Sequence, residues 1–135
     1  MNLKNFILVS ASVGIGIIGV GYLVSPDFMY GLYGIEITSV NEFSMVRGAY
    51  GGLFVTFSIL FLLGAIYPGL SISSLVGLFT FMLGFALGRL SGLLIEGEPS
   101  LIILGLILFE IIYSILSGYL LFGYKSKLFS KEIST

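Results

Sequence analysis

Four long stretches of the chain are almost wholly apolar, and short polar segments separate them. A helix that crosses a bilayer needs about 20 mostly apolar residues, because each residue advances the helix by about 1.5 Å and the hydrocarbon core is roughly 30 Å thick. All four stretches are long enough, so the pattern predicts an all-α membrane protein built as a four-helix bundle. The predicted spans are residues 6–24, 44–66, 71–95 and 100–123.

The two later connections are short and contain strong helix-stop signals. Tyr67, Pro68 and Gly69 place proline beside glycine, the two residues that interrupt helices most strongly. Gly97 suits the end of one helix, and Pro99 suits the start of the next. Short connections require antiparallel neighbours, so the second, third and fourth spans are expected to run up and down.

The first connection is longer and predicts a short helix of its own. It opens with the sequence Ser-Pro-Asp at Ser25, which offers an N-cap, a first-turn proline and an acid near the positive end of the helix dipole. Apolar residues follow at helical spacing up to Gly34, which we expect to end a helix lying on the membrane surface. Ser39 and Glu42 then match a capping box that opens the second span.

Composition excludes a soluble protein and several kinds of site. The chain is 57% hydrophobic and 10% charged, whereas soluble domains carry about 25% charged residues. A net charge of -1 offers no basic face to a nucleic-acid partner. The chain has no Cys and no His, which removes the usual ligands of zinc, haem and iron–sulfur clusters. We therefore predict no cofactor, no metal site and no catalytic residue.

The placement of charges predicts the orientation in the membrane. Positive side chains flank the termini: Lys4, Lys125, Lys127 and Lys131. Acidic side chains occupy the first and third connections: Asp27, Glu36, Glu42, Glu96 and Glu98. The positive-inside rule then places both termini in the cytoplasm, in a bacterial-type plasma membrane. On this interpretation residues 1–124 form a single transmembrane domain, and residues 125–135 form a polar cytoplasmic tail.

Glycines recur at spacings that favour close helix packing. The segment from Gly14 to Gly19 has the letters of a dinucleotide-binding motif, but it lies inside a span, where a phosphate would be unsolvated. Small residues in membrane helices instead let two backbones approach each other. Two further sets have this spacing: Gly48 with Gly52, and Gly84 with Gly88 and Gly92. The third span, which carries the longer set, is the expected centre of packing.

Three ionisable residues lie inside the predicted spans: Arg47, Arg89 and Glu110. Such a group costs about 2.5 to 3.5 kcal/mol on insertion scales, so each needs a partner or a purpose. By helix direction both arginines fall in the outward half, and Glu110 comes within reach of a long arginine. Helical spacing adds Tyr50 beside Arg47 and Tyr113 beside Glu110. We predict that these five residues form one polar cluster that opens to the outer side.

Simpler explanations exist for each of these charges. Both arginines are close enough to the interface to reach water, Arg47 beside Glu42 and Arg89 beside Glu96. Glu110 lies deeper, and it is either paired with an arginine or protonated, because desolvation disfavours a charged carboxylate. A purely structural tie between arginine and glutamate therefore stays open beside a functional one.

The same segments resemble a known family. The resemblance is carried by NEFSMVRGAYGG at residues 41–52, LGRLSG at residues 87–92 and LFE at residues 108–110. In order and spacing they resemble the domain of unknown function family DUF4345, small four-helix membrane proteins that are mostly bacterial. This resemblance covers nearly the whole chain and implies a polar signature of Arg47, Tyr50, Gly51, Arg89 and Glu110. A looser similarity to DoxX-like proteins and to sterol-synthesis scaffold proteins favours binding or scaffolding by analogy.

The favoured function is a membrane binding or scaffold protein. Its predicted site residues, Arg47, Tyr50, Arg89, Glu110 and Tyr113, would hold a lipid-like ligand or a membrane partner, and two arginines would suit an anionic head group. The alternative is a small proton-coupled transporter or channel subunit that uses Glu110, although four helices enclose little room. An enzyme lacks a recognisable nucleophile and base, while a tyrosine or serine nucleophile stays open. Expected partners are membrane lipids, a lipophilic ligand, a membrane protein or a second copy of the chain.

Overall fold

A computed structural model describes the backbone of residues 2–132 and the side chains of residues 2–123. These residues form helices and no strand, which confirms the all-α prediction. The helices are α1 (Leu3–Val24), α2 (Pro26–Gly31), α3 (Val40–Val46), α4 (Leu53–Ile66), α5 (Ser71–Glu96) and α6 (Leu101–Glu132). A π-helical segment, Arg47–Gly52, joins α3 to α4, and a 3₁₀ turn, Pro68–Leu70, precedes α5.

Four helical units are long and apolar enough to cross a membrane. They are Leu3–Val24, Val40–Ile66, Pro68–Glu96 and Leu101–Gly123. The second unit joins α3, the π segment and α4, and we call it span 2. The four predicted spans and the short helix between the first two are confirmed, although span 2 begins at Val40 rather than at residue 44. The chain is an integral membrane protein by this architecture.

The spans pack in a ring with alternating directions. α1 lies along α4, α5 lies along α6, α4 packs on α5, and α1 touches α6. Side chains from three helices meet in the apolar core, among them Ile7 of α1, Phe61 of α4 and Leu75 of α5, each at most 1% exposed. Apolar side chains on the outer faces stay exposed, as expected of helices that meet lipid there.

Two serines fasten α1 to α4 inside the bundle. The Ser12 hydroxyl donates to the Ser58 carbonyl at 2.7 Å, and the Ser58 hydroxyl donates to the Ser12 carbonyl at 2.8 Å. Glycine allows this approach, since a Cβ on Gly19 would lie 2.9 Å from the backbone nitrogen of Val55. Close packing is therefore confirmed at Gly16 and Gly19 of α1, whereas a Cβ on Gly14 would meet no atom of the described residues within 4 Å.

The predicted glycine face of α5, Gly84 with Gly88 and Gly92, does not pack against another of the described helices, although a Cβ on Gly77 of the same helix would lie 3.2 Å from Leu60 of α4. A Cβ on Gly84 or Gly88 would meet no atom within 4 Å, and the same is true of Gly48 in span 2. The expectation that α5 packs centrally through its glycine face is wrong. The bundle-facing side of α5 instead carries larger side chains such as Met82 and Ala86, which fill the core and turn the glycines outward.

α2 ends at Gly31, and the turn that follows it closes at Gly34, the residue at which the sequence predicts the helix to end. The Ile35 amide donates to the Tyr30 carbonyl at 3.1 Å, and the Gly34 amide donates to the Gly31 carbonyl at 3.0 Å. These two bonds form a Schellman turn, in which Gly34 takes a φ of 74°. This left-handed conformation favours glycine because it carries no Cβ.

Short-range side-chain hydrogen bonds lie at both ends of the first connection, and only the second of them caps a helix. Ser25 occupies the N-cap of α2, but its hydroxyl donates to the Asp27 carboxylate at 3.0 Å instead of capping the backbone. This hydrogen bond lowers the pKa of Asp27 below its ordinary value. Before α3, the Glu42 carboxylate accepts from the Thr38 and Ser39 amides at 2.8 and 2.9 Å, and the Ser39 hydroxyl accepts from the Glu42 amide. The predicted capping box is confirmed.

α6 continues as a helix beyond the predicted end of the fourth span and reaches Glu132. The side chains of residues 124–135, which include the basic part of the predicted cytoplasmic tail, lie outside the described ones. The cytoplasmic location of that tail stays a prediction.

Candidate binding site

The π segment shapes one wall of the site. In a π-helix each amide bonds five residues back, so the turn is wider than in an α-helix and changes which residues share a face. Arg47 at its start is exposed, whereas Tyr50 turns toward the interior and Gly51 is buried against Leu23 of α1. Segments of this kind are frequent at functional sites.

Arg89 and Glu110 form an ion pair between α5 and α6. The Arg89 Nη1 atom donates to the Glu110 Oε1 atom. The Glu110 side chain is 7% exposed and that of Arg89 is 24% exposed, so the pair is largely removed from solvent. The guanidinium carbon of Arg89 also lies 5.4 Å from the ring centroid of Phe85, within the range of a cation–π contact. The two intramembrane charges therefore neutralise each other.

The second carboxylate oxygen of Glu110 has no hydrogen-bond partner among the described residues. Its Oε2 atom is buried, and no donor in the described part of the chain reaches it. A buried acceptor without a partner costs about 1–3 kcal/mol, and more if it carries charge. The ion pair thus leaves one strong acceptor available in the interior.

Glu110 and Arg89 border a small internal cavity of about 40 Å³. Its walls are mostly aromatic and contain three tyrosines, four phenylalanines and the ion pair: Tyr22, Tyr33, Tyr50, Phe54, Phe81, Phe85, Phe109, Arg89 and Glu110. The three tyrosines line the same cavity as Arg89. A cavity that holds one water needs roughly 10–15 Å³ by the same measure, so this one admits a small polar group.

The aromatic walls contact one another extensively. The rings of Tyr22 and Tyr50 lie 5.3 Å apart, and those of Tyr30 and Tyr50 lie 6.0 Å apart at 85°. Phe54 and Phe85 meet edge to face at 5.3 Å. Each such pair contributes about 0.5–1.5 kcal/mol beyond its buried area. Burial raises the pKa of Tyr30 to about 12, so its hydroxyl stays neutral at physiological pH.

A larger groove runs beside the cavity, between span 2 and α5. It has a volume of about 420 Å³ and is lined by Tyr50, Phe81, Gly84, Phe85, Gly88 and Arg89. Four of these residues also border the cavity: Tyr50, Phe81, Phe85 and Arg89. Because Gly84 and Gly88 carry no side chain, the outer part of the groove is open toward the lipid-facing surface of α5.

The structure places Arg47 apart from this pair. Its Nε atom donates to the Leu23 carbonyl at 3.1 Å, its guanidinium lies 5.7 Å from the Phe43 ring, and it does not border the cavity. The expected convergence of both arginines is therefore wrong, because the wide π turn rotates Arg47 off the face that carries Tyr50. The simpler pairing of Arg47 with Glu42 is also absent from the described residues, since Glu42 is bound in its capping box.

Tyr113 lies beyond the cavity on the same face of α6. Its hydroxyl donates to the Ser10 hydroxyl at 2.9 Å, and its ring stacks on Phe109 at 4.3 Å. Ser114 and Ser117 are buried on that face, as their spacing from Glu110 predicts. Of the five predicted site residues, Tyr50, Arg89 and Glu110 border the cavity, while Tyr113 supports it from a neighbouring turn.

Sequence reasoning missed Tyr22 and Tyr33. Both border the cavity, and Tyr22 is only 5% exposed. Tyrosine is common at the ends of membrane spans because its ring suits the interface, so its position there gives no distinctive signal of a site. Only the folding of the first connection over the bundle brings Tyr33 near Arg89.

Comparison with known proteins identifies one family. The family model described as "Domain of unknown function (DUF4345)" matches residues 3–121, a range that includes every residue bordering the cavity. No curated protein and no solved structure matches the chain.

Proposed function

The chain belongs to the DUF4345 family, and we propose that it binds a lipophilic ligand inside the membrane, with the polar end of the ligand at Arg89 and Glu110. The observation that carries this proposal is the buried Oε2 atom of Glu110, which has no hydrogen-bond partner among the described residues and belongs to a residue lining an aromatic cavity. A binding pocket of this kind is mostly apolar and has a few polar groups that fix the orientation of its ligand.

The ion pair suits binding better than proton transport. The Glu110 carboxylate is held by Arg89 in an ion pair, whereas a proton-coupled transporter needs a carboxylate that can take up and release a proton during transport. A paired arginine and glutamate can bind a polar group without leaving an uncompensated charge in the bilayer. Both features support a ligand site over the alternative of a proton-coupled transporter.

The orientation of the bundle indicates which half of the membrane holds the ligand. The positive-inside rule places both termini in the cytoplasm, so the end of the bundle that carries α2 faces outward. Tyr33, in the turn after α2, borders the same cavity as Arg89 and Glu110. We therefore place the ligand in the outer half of the membrane.

Filling the cavity tests the proposal. Leu106 borders the cavity on α6, whereas Leu108 on the same helix is 60% exposed. Leu106→Phe adds an aromatic ring inside the cavity. Leu108→Phe adds the same ring on the exposed side of the helix and serves as the control. The wild type and both variants are extracted in mild detergent and analysed by native mass spectrometry for a retained lipophilic molecule.

We expect the wild type and Leu108→Phe to retain the molecule and Leu106→Phe to lose most of it. Circular dichroism checks that all three proteins keep the same helix content. Equal retention by the two phenylalanine variants, or no retained molecule in the wild type, would refute the binding proposal.

A further inference from the structure

We propose that the polar end of the ligand is an uncharged hydroxyl group, so that the ligand is a lipophilic alcohol. This inference rests on the proposed function and narrows it to one chemical class. It depends on the charge of the site, on its unused hydrogen-bonding group and on the sizes of the cavity and the groove.

The charge of the site opposes an ionic head group. Arg89 is already paired with Glu110, so the pair is neutral as a whole. An anionic head would approach the free Oε2 atom of Glu110, which repels it. The second cation that an anion would need, Arg47, donates to the Leu23 carbonyl instead. A cationic head would compete with Arg89 for the same carboxylate.

The unpaired oxygen of Glu110 favours a ligand that donates a hydrogen bond. The Oε2 atom of Glu110 accepts hydrogen bonds and has no donor among the described residues. A ligand hydroxyl can donate to this oxygen and accept a hydrogen bond at the same time. An ether or ketone only accepts, so it would leave the oxygen without a partner. Sites built to bond a hydroxyl discriminate strongly against analogues that lack it.

The sizes of the two spaces divide the ligand into a small head and a larger body. One water needs roughly 10–15 Å³ by the measure that gives this cavity about 40 Å³, so the cavity accepts a small polar group. The adjoining groove of about 420 Å³ has room for an apolar body beside Gly84 and Gly88. An alcohol on a hydrocarbon body has this division.

Three probes with one hydrocarbon chain test the head group. They are hexadecan-1-ol, its methyl ether and hexadecyl sulfate, which offer a donor, an acceptor only and a permanent anion. Each probe is added at the same mole fraction to phosphatidylcholine nanodiscs that hold the wild type. Native mass spectrometry measures the fraction of protein that carries the probe. We expect the alcohol to bind at least tenfold better than the ether or the sulfate.

Glu110→Gln sharpens the test, because the amide keeps an acceptor for Arg89 and turns the free oxygen into a donor. We expect the preference for the alcohol to disappear in this variant, because the ether and the alcohol can both accept a hydrogen bond from the new amide. Glu96→Gln, at the end of α5, is the matched control and should keep the preference of the wild type. If Glu110→Gln does not fold, the ranking of the probes on the wild type decides the question.

The outcomes separate the two proposals. Equal binding of the three probes, stronger binding of the sulfate, or an alcohol preference that persists in a folded Glu110→Gln protein overturns the alcohol inference. In those cases the proposed function stands if Leu106→Phe still reduces binding relative to Leu108→Phe. If no probe binds the wild type above the level of Leu106→Phe, both proposals fail.

Discussion

Arg89 and Glu110 lie 21 residues apart in the sequence and join as an ion pair across the contact between α5 and α6. Each charge alone would be costly within a bilayer, at about 2.5 to 3.5 kcal/mol on insertion scales for a group such as arginine. Together they offset that cost and fix the relative register of the two helices. The pair therefore has a structural effect that can be measured separately from ligand binding.

Removing one partner should destabilise the protein more than removing both. Arg89→Leu leaves the Glu110 carboxylate buried without its cation, which we expect to cost about 3 kcal/mol. The double variant Arg89→Leu/Glu110→Leu should regain most of that loss, because apolar side chains suit the interior. Glu110→Leu is the second single variant. Unfolding of the four proteins in mild detergent, followed by circular dichroism, gives the free energies of a double-mutant cycle.

Independent, additive losses in this cycle would mean that the two residues do not interact in the membrane. Arg47→Leu serves as a control for removing an intramembrane arginine. The Arg47 side chain is exposed, and its guanidinium donates to the backbone carbonyl of Leu23 in α1. We expect a smaller loss of stability for that variant than for Arg89→Leu.

The two arginines should also differ in their effect on a retained ligand. Arg89→Ala removes a residue that borders both the cavity and the groove, whereas Arg47→Ala changes a residue that borders neither. Native mass spectrometry of both purified variants should find the lipophilic molecule lost from the first and kept by the second. Loss from both variants at equal helix content would restore Arg47 to the site.

Replacement by alanine should have opposite effects on stability at Gly19 of α1 and at Gly84 of α5. Gly19→Ala puts a methyl group 2.9 Å from the Val55 backbone nitrogen, so the helices must separate, at a cost of about 1–3 kcal/mol. Gly84→Ala meets no atom within 4 Å and gains helix propensity of about 0.5–1 kcal/mol. Thermal unfolding of both variants checks the signs. A stabilised Gly19→Ala would contradict the close contact of α1 with α4.

The serine pair offers a second measure of that contact. Ser58→Ala removes the hydroxyl that donates to the Ser12 carbonyl, and a hydrogen bond between membrane helices contributes about 0.6 kcal/mol on average and up to about 1.7 kcal/mol. We expect a loss within this range. The control is Ser91→Ala, whose exposed hydroxyl bonds Gly88 within its own helix. Equal losses from the two alanine variants would remove the evidence for an interhelical role.

The orientation can be tested without a background of native thiols, because the chain has no Cys. Glu36→Cys in the first connection should react with a membrane-impermeant maleimide on intact cells. Gly69→Cys in the second connection should react only after the cells are lysed. The reverse pattern would overturn the placement of both termini in the cytoplasm, and an activity reporter fused after Thr135 provides an independent check.

Features set by local sequence were predicted well. The four spans follow from length and hydropathy, and Gly34 and the Ser39–Glu42 capping box follow from rules that involve only a few neighbouring residues. The π segment was not predicted, because Arg47–Gly52 has no distinctive pattern and its wide turn depends on packing against α1. That one segment changes the face on which Arg47 lies.

The candidate site was predicted only in part, because some of its residues are positioned by local helix geometry and others by packing between distant segments. Depth along the helices was enough to bring Arg89 within reach of Glu110, since a helix advances by a fixed distance per residue. The positions of Tyr22 and Tyr33 depend on how the first connection folds over the bundle, which no local pattern specifies. The outward direction of Gly84 likewise depends on larger neighbours filling the core.

The open groove beside Gly84 and Gly88 has a consequence for how binding is measured. A molecule that enters through the lipid-facing surface of α5 exchanges with the bilayer and not with the surrounding water. Its occupancy then follows its mole fraction in the membrane, a two-dimensional concentration that is independent of the aqueous volume. Adding lipid that contains no ligand dilutes the ligand in the membrane and empties the site, while adding buffer leaves the occupancy of the site unchanged.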